Sequence, residues 1–511
     1  MKMHTMKTMK ATAGKAMFGL LVSTALTLTA SAASARDLTV GLPGTVVTLD
    51  PHMSATVFTD LNIASHLYSA LVTRGPDLEL APDAAEEWTA TADTTWRFQL
   101  HPGVTFPNGE ALDAEAVKWN IERVLADETS ARIKPWFELV DEVNVIDKTT
   151  VDIVTSAPYP ALPDQLSMFF LLPPEWSAEN DTNRMALGTG PYDLVEFQEG
   201  NFITLSAKED YWGTAPEFEE VTFRFIPEES TRISALLAGE VDFVTSIPTS
   251  EIERTNQNEG TSGDAVASTR TMFLRFNSKV EPFQGNAMLR RAMNYAVDKN
   301  LIIDSLWDGY GEVARCQPLS EDYFGYNPDL EAHPYDPEQA RSLMVEAGYP
   351  DGFDLELDVP IGRYLQGSEI GQIVAAQLTE IGVNVQITET EWSRWLDKLY
   401  NDGMSQATYY GLAWPTLDAG GVMAFFEDGN TQNYQDDPEF TSILQEANSS
   451  VDADERLALY KTATERMCES APILFLFQQP YTYGISDEIE WSARGDDWAR
   501  AMDMSVAGSA D

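Results

Sequence analysis

The sequence predicts an α/β fold, and three observations carry that reading. Helical and strand patterns interleave along the chain instead of separating into blocks. An alternating run, Met272–Asn277, leads through a Pro/Gly turn into apolar residues at the helical period. Further on, the amphipathic segment Glu369–Ile381 runs directly into the alternating segment Val383–Ile387, the pattern of a crossover unit.

Each element has a local justification. Thr95–Leu100 and Val221–Ile226 alternate apolar and polar side chains, as half-buried strands do. After Met272–Asn277, Pro282 and Gly285 mark a turn and Asn286 is placed to cap a helix. Leu289, Ala292, Met293, Ala296 and Val297 then share one helical face. In Glu369–Ile381 the shared face is Ile370, Ile373, Val374, Leu378 and Ile381, with Gly382 where a C-cap belongs. Asp454–Met467 reads as a further helix, with Leu457, Tyr460 and Thr464 spaced along it.

The first 35 residues read as a secretory leader. Lys2, Lys7, Lys10 and Lys15 precede the apolar stretch Ala16–Ala30, and Ala33-Ser34-Ala35 is a small-x-small cleavage site. The mature chain is expected to begin at Arg36 and to be periplasmic. No cysteine follows the apolar stretch to take a lipid, and no later apolar run reaches roughly 18 residues. The whole chain has 33 basic and 81 acidic residues; without the four leader lysines the balance is 29 against 81, or −52. Such a field repels nucleic acid and anionic membranes. The acids are dispersed, which fits a solvated surface better than a site for a cationic ligand. Cys316 and Cys468 are the only cysteines. In an oxidising compartment they can form one bridge; two buried thiols are the alternative. No local Cys–His pairing suggests a catalytic thiol.

No catalytic constellation stands out. There is no G-x-x-x-x-G-K-[ST], H-E-x-x-H, G-x-S-x-G or C-x-x-C. Gly188-Thr189-Gly190 is followed by Pro191 and reads as a turn. His52, His66, His101 and His333 are scattered, so no metal site is expected, nor any cofactor. What remains is a binding site. Residues 391–426 are dense in aromatics, among them Trp392, Trp395, Tyr409, Tyr410 and Trp414. Such rings suit a small-solute pocket, although Trp395 also fits ordinary core packing.

An ordered set of blocks narrows the reading. Arg270–Asn300 (RTMFLRFNSKVEPFQGNAMLRRAMNYAVDKN) resembles a signature of the extracytoplasmic solute-binding proteins of ABC transporters, peptide/nickel class. Leu49–His52 (LDPH), His66–Val72, Ala81–Arg123, Gly188–Tyr192, Tyr211–Gly213 and Leu236–Val244 precede it in the family's order. Gly362–Tyr364, Gly382–Val385 and Ala471–Leu476 follow. The resemblance implies a two-lobed periplasmic binding protein fold with a central ligand cleft. Lobe I would comprise residues 36–80, 186–268 and 479–511, an inserted subdomain residues 81–185, and lobe II residues 269–478.

The resemblance also implies the function: a monomeric substrate-binding component that captures a small solute and delivers it to a cognate permease in the inner membrane, without catalysis. Trp392 and Trp414 match positions that line the family's ligand site, and would stack on an aromatic or sugar-like face. Peptide-binding members carry an Asp three residues after the Trp that matches Trp414; here Leu417 stands there, with Asp418 one place on. A buried ammonium without a partner is costly, so Leu417 argues against an ordinary peptide. A di- or oligopeptide anchored on Asp418 is the alternative, and a secreted hydrolase the remote one. Some oligopeptide binders carry an acid where this chain has Arg275, so Arg275 and Arg363 are candidates for holding an anionic group. Phe477 and Gln478, beyond the Ala471–Leu476 block, are weaker candidates.

Overall fold

The computed structural model describes residues 36–361, 363–401 and 403–508. The predicted leader and cleavage site, and Gly362 of the Gly362–Tyr364 block, lie outside them.

One long mixed sheet runs through the molecule. Its strands lie in the order Val383–Glu391, Phe353–Ile361, Ala407–Leu412, Thr261–Phe276, Ile473–Ser486, Phe243–Thr245, Arg36–Leu42, Phe218–Phe225, Phe202–Ala207 and Tyr192–Gln198. Thr261–Phe276 and Ile473–Ser486 are the two longest and pair antiparallel from Thr261↔Ser486 to Arg275↔Ile473. They serve both halves. Met272–Phe276 and Ile473–Phe477 enter one hydrophobic core, together with the helices Ala287–Tyr295, Lys299–Trp307 and Gly367–Glu380. Tyr483 and Ile485 enter another, built on Leu38, Val40, Val221 and Phe223 and closed by Trp498, Ala499 and Met504. The fold is α/β and two-lobed. A separate four-stranded antiparallel sheet, with strands Ala85–Ala92, Thr95–Leu100, Thr150–Thr155 and Val140–Val145, packs its own core around Phe98, Ile121 and Ile153.

The predicted local elements form. Asn286 caps its helix by accepting from Leu289 N at 3.1 Å, and Leu289, Ala292 and Met293 are buried. Ala296 and Val297 are buried too, although the helix ends at Tyr295. Phe353–Ile361, the helix Gly367–Glu380 and Val383–Glu391 make the crossover unit, with its two strands parallel. Gly382 ends that helix at φ +96°, and Gly352 packs against its carbonyl, where a Cβ would lie 1.9 Å from the oxygen.

The crossing ladder shifts register twice, by one residue between Met272 and Phe273 and more widely at its centre. Pairing jumps from Ala267↔Pro480 to Thr271↔Gln478, so Ser268, Thr269 and Arg270 bulge out opposite Gln479. Pro480 has no N–H to give the ladder. The bulge is closed from the other side: Thr269 N donates to Gly495 O at 2.9 Å. A bulge turns side chains away from the regular alternation, and here it sets the direction of Arg270.

Candidate functional site

A cavity of about 130 Å³ lies where the bulge, the Gly75 turn, the Trp414 loop and the segment 494–498 meet. Its wall is largely apolar, with Val57, Phe58, Met168, Pro415, Leu417, Trp414 and Trp498. Its polar groups include Arg74, Arg270, Arg494, Asp496, Thr73 and Thr269.

Two of the three arginines are neutralised by the protein. Arg494 makes a fork on Asp496, with Nε to Oδ1 at 2.9 Å and Nη2 to Oδ2 at 2.7 Å. Its Nη1 reaches Asp503 at 2.8 Å and Gly75 O at 2.9 Å. Arg74 pairs with Asp164 at 2.8 Å and donates to Leu78 O at 2.6 Å and to Thr416 O. Arg74 therefore joins Asp164 to the loop that carries Trp414. Arg270 differs. It is buried, its Nη1 donates to Gly411 O at 3.3 Å, and among the described residues no carboxylate lies within ion-pair distance. Tyr323, Tyr364 and Tyr481 surround it. Behind it, Asp497 has its carboxyl pushed up to about 7, first by burial and then by Asp496. Asp497 Oδ1 finds no hydrogen-bond donor.

Trp414 is held rigidly. Its backbone N donates to Tyr323 Oη at 2.6 Å, and that hydroxyl donates to Trp414 O at 3.3 Å. Phe425 meets the indole edge-on at 5.6 Å, and Gly421 leaves it room: a Cβ there would lie 2.1 Å from Trp414 Cδ1. Leu417 closes the turn at φ +52°, and its carbonyl accepts from Phe324 N at 2.8 Å.

Of the residues singled out from the sequence, Trp414 and Leu417 line this cavity. Trp392 begins the helix Trp392–Tyr400, half-buried, stacked on Trp395 at 4.9 Å and packed on the large core. Trp395 is core, with Nε1 on Thr408 Oγ1 at 2.9 Å. The Arg363 guanidinium lies over Tyr364 at 5.3 Å and Trp392 at 5.5 Å. Arg275 lies away from the cavity, buried against Phe273, Tyr410 and Phe426, with Nη1 on Gln432 O at 2.6 Å. Burial pushes its pKa down to about 10. Asp418 points inward as a helix cap and ion-pair partner of Arg456, not into the cavity. Phe477 is core against Trp307 at 4.7 Å, and Gln478 is buried on Thr271 Oγ1 at 3.0 Å. In these last three the strand or helix turns the side chain into packing that sequence spacing does not reveal.

Cys316 and Cys468 form a disulfide, with Cα atoms 5.0 Å apart. It ties the segment that carries Tyr323 to the helix Ala453–Ser470. His333 Nε2 lies 3.1 Å from Cys316 Sγ, a pairing the local sequence gave no sign of. With both sulfurs in the bridge, the trio Cys316, His333 and Cys468 has no thiolate to offer a metal.

Two lobes joined by crossing strands, with a cavity at the crossing, are the architecture of a solute-binding protein. The sequence model for bacterial extracellular solute-binding proteins, family 5 (middle), matches residues 79–434, and the chain belongs to this family. The glutathione-binding protein GsiB of Pectobacterium atrosepticum is 27% identical over 463 residues, 87% of this chain and 88% of that protein. The dipeptide-binding protein of Escherichia coli K12 is 27% identical over 437 residues, 78% and 81% of the two chains. The structure of HbpA2 from Haemophilus parasuis superposes with a TM-score of 0.84 at 22% identity, covering 92% of this chain and all of the other. The chain is a substrate-binding component of an ABC transporter.

Proposed function

We propose that the chain captures a small anionic solute in the cavity at the strand crossing and presents the closed complex to a permease in the inner membrane, without chemical turnover. It acts as a periplasmic monomer after cleavage near Ala35. Residues 36–80, 186–268 and 479–511 form one lobe, 269–478 the other, and 81–185 the insertion. Closure is a hinge motion about the two crossing strands, and ligand contacts made only in the closed form favour it.

Arg270 carries this reading. A buried guanidinium with no carboxylate in ion-pair contact is costly, and Asp497, which feels its charge, is held towards the neutral form by burial. An anionic ligand offsets the cost while gaining a fork of donors. Asp496 in the cavity wall is already paired with Arg494, and Asp164 nearby with Arg74. Asp418, the anchor a peptide would need, is closed off by Arg456.

The test is calorimetric titration of the purified mature chain with size-matched anionic, neutral and cationic solutes. Saturable binding confined to anions supports the proposal; binding confined to cations or neutral solutes overturns it.

A further inference from the structure

The cavity restricts more than the sign of the ligand's charge. Its volume, about 130 Å³, is close to that of cavities which accept a single benzene-sized ring. An extended peptide would have to reach beyond it. Trp414 and Trp498 supply ring surface, and Met168, Phe58 and Leu417 supply apolar contact. At the polar end Arg270 offers donors.

The acceptor inventory is the second restriction. An ammonium group needs carboxylate or carbonyl oxygens free to receive it. Asp496 spends both oxygens on Arg494, and its Oδ1 also accepts from Trp498 N at 3.2 Å. Asp164 is taken by Arg74. Thr416 O and Gly411 O are taken by Arg74 and Arg270. Asp418 is buried under Arg456 and Tyr460. At the loop that faces the Trp414 ring, the side chain presented to the cavity is Leu417.

On the reading that this cavity takes an anion, we infer that its ligand is a compact monocarboxylate with an apolar, ring-sized body and no free ammonium group. The carboxylate sits on Arg270 and the body between Trp414, Trp498 and Leu417. A free α-amino acid of the same size binds more weakly because its ammonium loses water and meets no free carboxylate in the cavity wall: Asp496 is spent on Arg494, and Asp497 does not line the cavity.

The probes are 3-phenylpropionate, phenylalanine, the dipeptide Ala-Phe and 3-phenylpropanol, titrated into the mature chain by calorimetry. The expected result is binding of 3-phenylpropionate at least tenfold tighter than of phenylalanine or Ala-Phe. Leu417→Asp, which places a carboxylate at the apolar end, is expected to narrow or reverse that ratio. Phenylalanine or Ala-Phe binding as tightly as 3-phenylpropionate overturns the inference while leaving an anion-binding cavity standing. Equal binding of 3-phenylpropanol and 3-phenylpropionate, unchanged in Arg270→Gln, overturns the anion reading as well. No binding by any of the four overturns the ring-sized class. Thermal melts of each variant confirm that a lost signal is not lost folding.

Discussion

Arg456 and Asp418 form a buried ion pair in which the carboxylate has nothing left to offer a ligand. Besides Arg456, Tyr460 Oη donates to it at 2.9 Å and Gly420 N at 2.9 Å. The guanidinium also lies over Phe324 at 4.9 Å, so the pair fixes the loop between Phe324 and Trp414 to the helix Ala453–Ser470. Removing one partner leaves an uncompensated buried charge. Arg456→Leu is therefore expected to lower the unfolding free energy by about 3–5 kcal/mol. Urea denaturation checks this, and a loss below about 1 kcal/mol would mean the pair is solvated.

The Cys316–Cys468 bridge spans a sequence separation of 152. A loop that long restricts the unfolded chain strongly, by about 5 kcal/mol in the chain-entropy account. The Cys316→Ser, Cys468→Ser double variant is expected to lose about 3–5 kcal/mol of stability. It should also bind ligand more weakly, because the bridged segment carries Tyr323, which holds Trp414 at both N and O. Calorimetric melting with and without ligand separates the two effects. Unchanged melting would show that the segment is held without the bridge.

Asp497 gives a pH dependence with a definite sign. Its carboxyl is raised from 3.8 to about 7. Between those values the folded chain holds a proton that the unfolded chain has released, so stability from this group is full below 3.8, falls through the window, and is lost above 7. Asp497→Asn removes the penalty. It should raise the melting temperature at pH 8 and leave it nearly unchanged at pH 4. An equal shift at both values would contradict the assignment.

Arg74 ties three parts of the chain through Asp164, Leu78 O and Thr416 O. Charged hydrogen bonds of this kind are worth roughly 1.5–3 kcal/mol each. Only the bond to Thr416 reaches the Trp414 loop, so Arg74→Gln is expected to weaken ligand binding about tenfold or more. Small-angle scattering should show a larger radius of gyration in the ligand-saturated variant than in the parent chain. An unchanged affinity would mean that Arg74 holds only the inserted subdomain.

The local elements were legible from the sequence because their signals are local. Asn286 caps its helix three residues ahead of Leu289, and the crossover of Phe353–Ile361 and Val383–Glu391 is contiguous in the chain. The place of Trp414 in the cavity wall was legible from its family block. Arg270 was not, although it opens the most informative segment. Its direction depends on a bulge set by Pro480, over 200 positions away, and sealed by Gly495. Arg275, a candidate from the sequence, lies beyond the bulge on the regular part of the strand, away from the cavity. There it joins Phe273, two residues back, and the ring of Phe426. Trp498 lies in a segment with no motif, and its packing against the core of Leu38, Val40 and Tyr483 brings it to the cavity. Asp418 lies outside the cavity for a related reason: spacing counts residues, whereas the left-handed turn at Leu417 sends the next side chain inward.

The central claim is that Arg270 receives the anionic group of the solute. The crystal structure of the protein bound to its tightest ligand tests it most directly. The account predicts a ligand carboxylate within about 2.7–3.2 Å of the Arg270 guanidinium, with the ligand body against Trp414. A ligand whose anionic group is held elsewhere, or a cation in contact with Asp496 or Asp497 and Arg270 turned away, would contradict it.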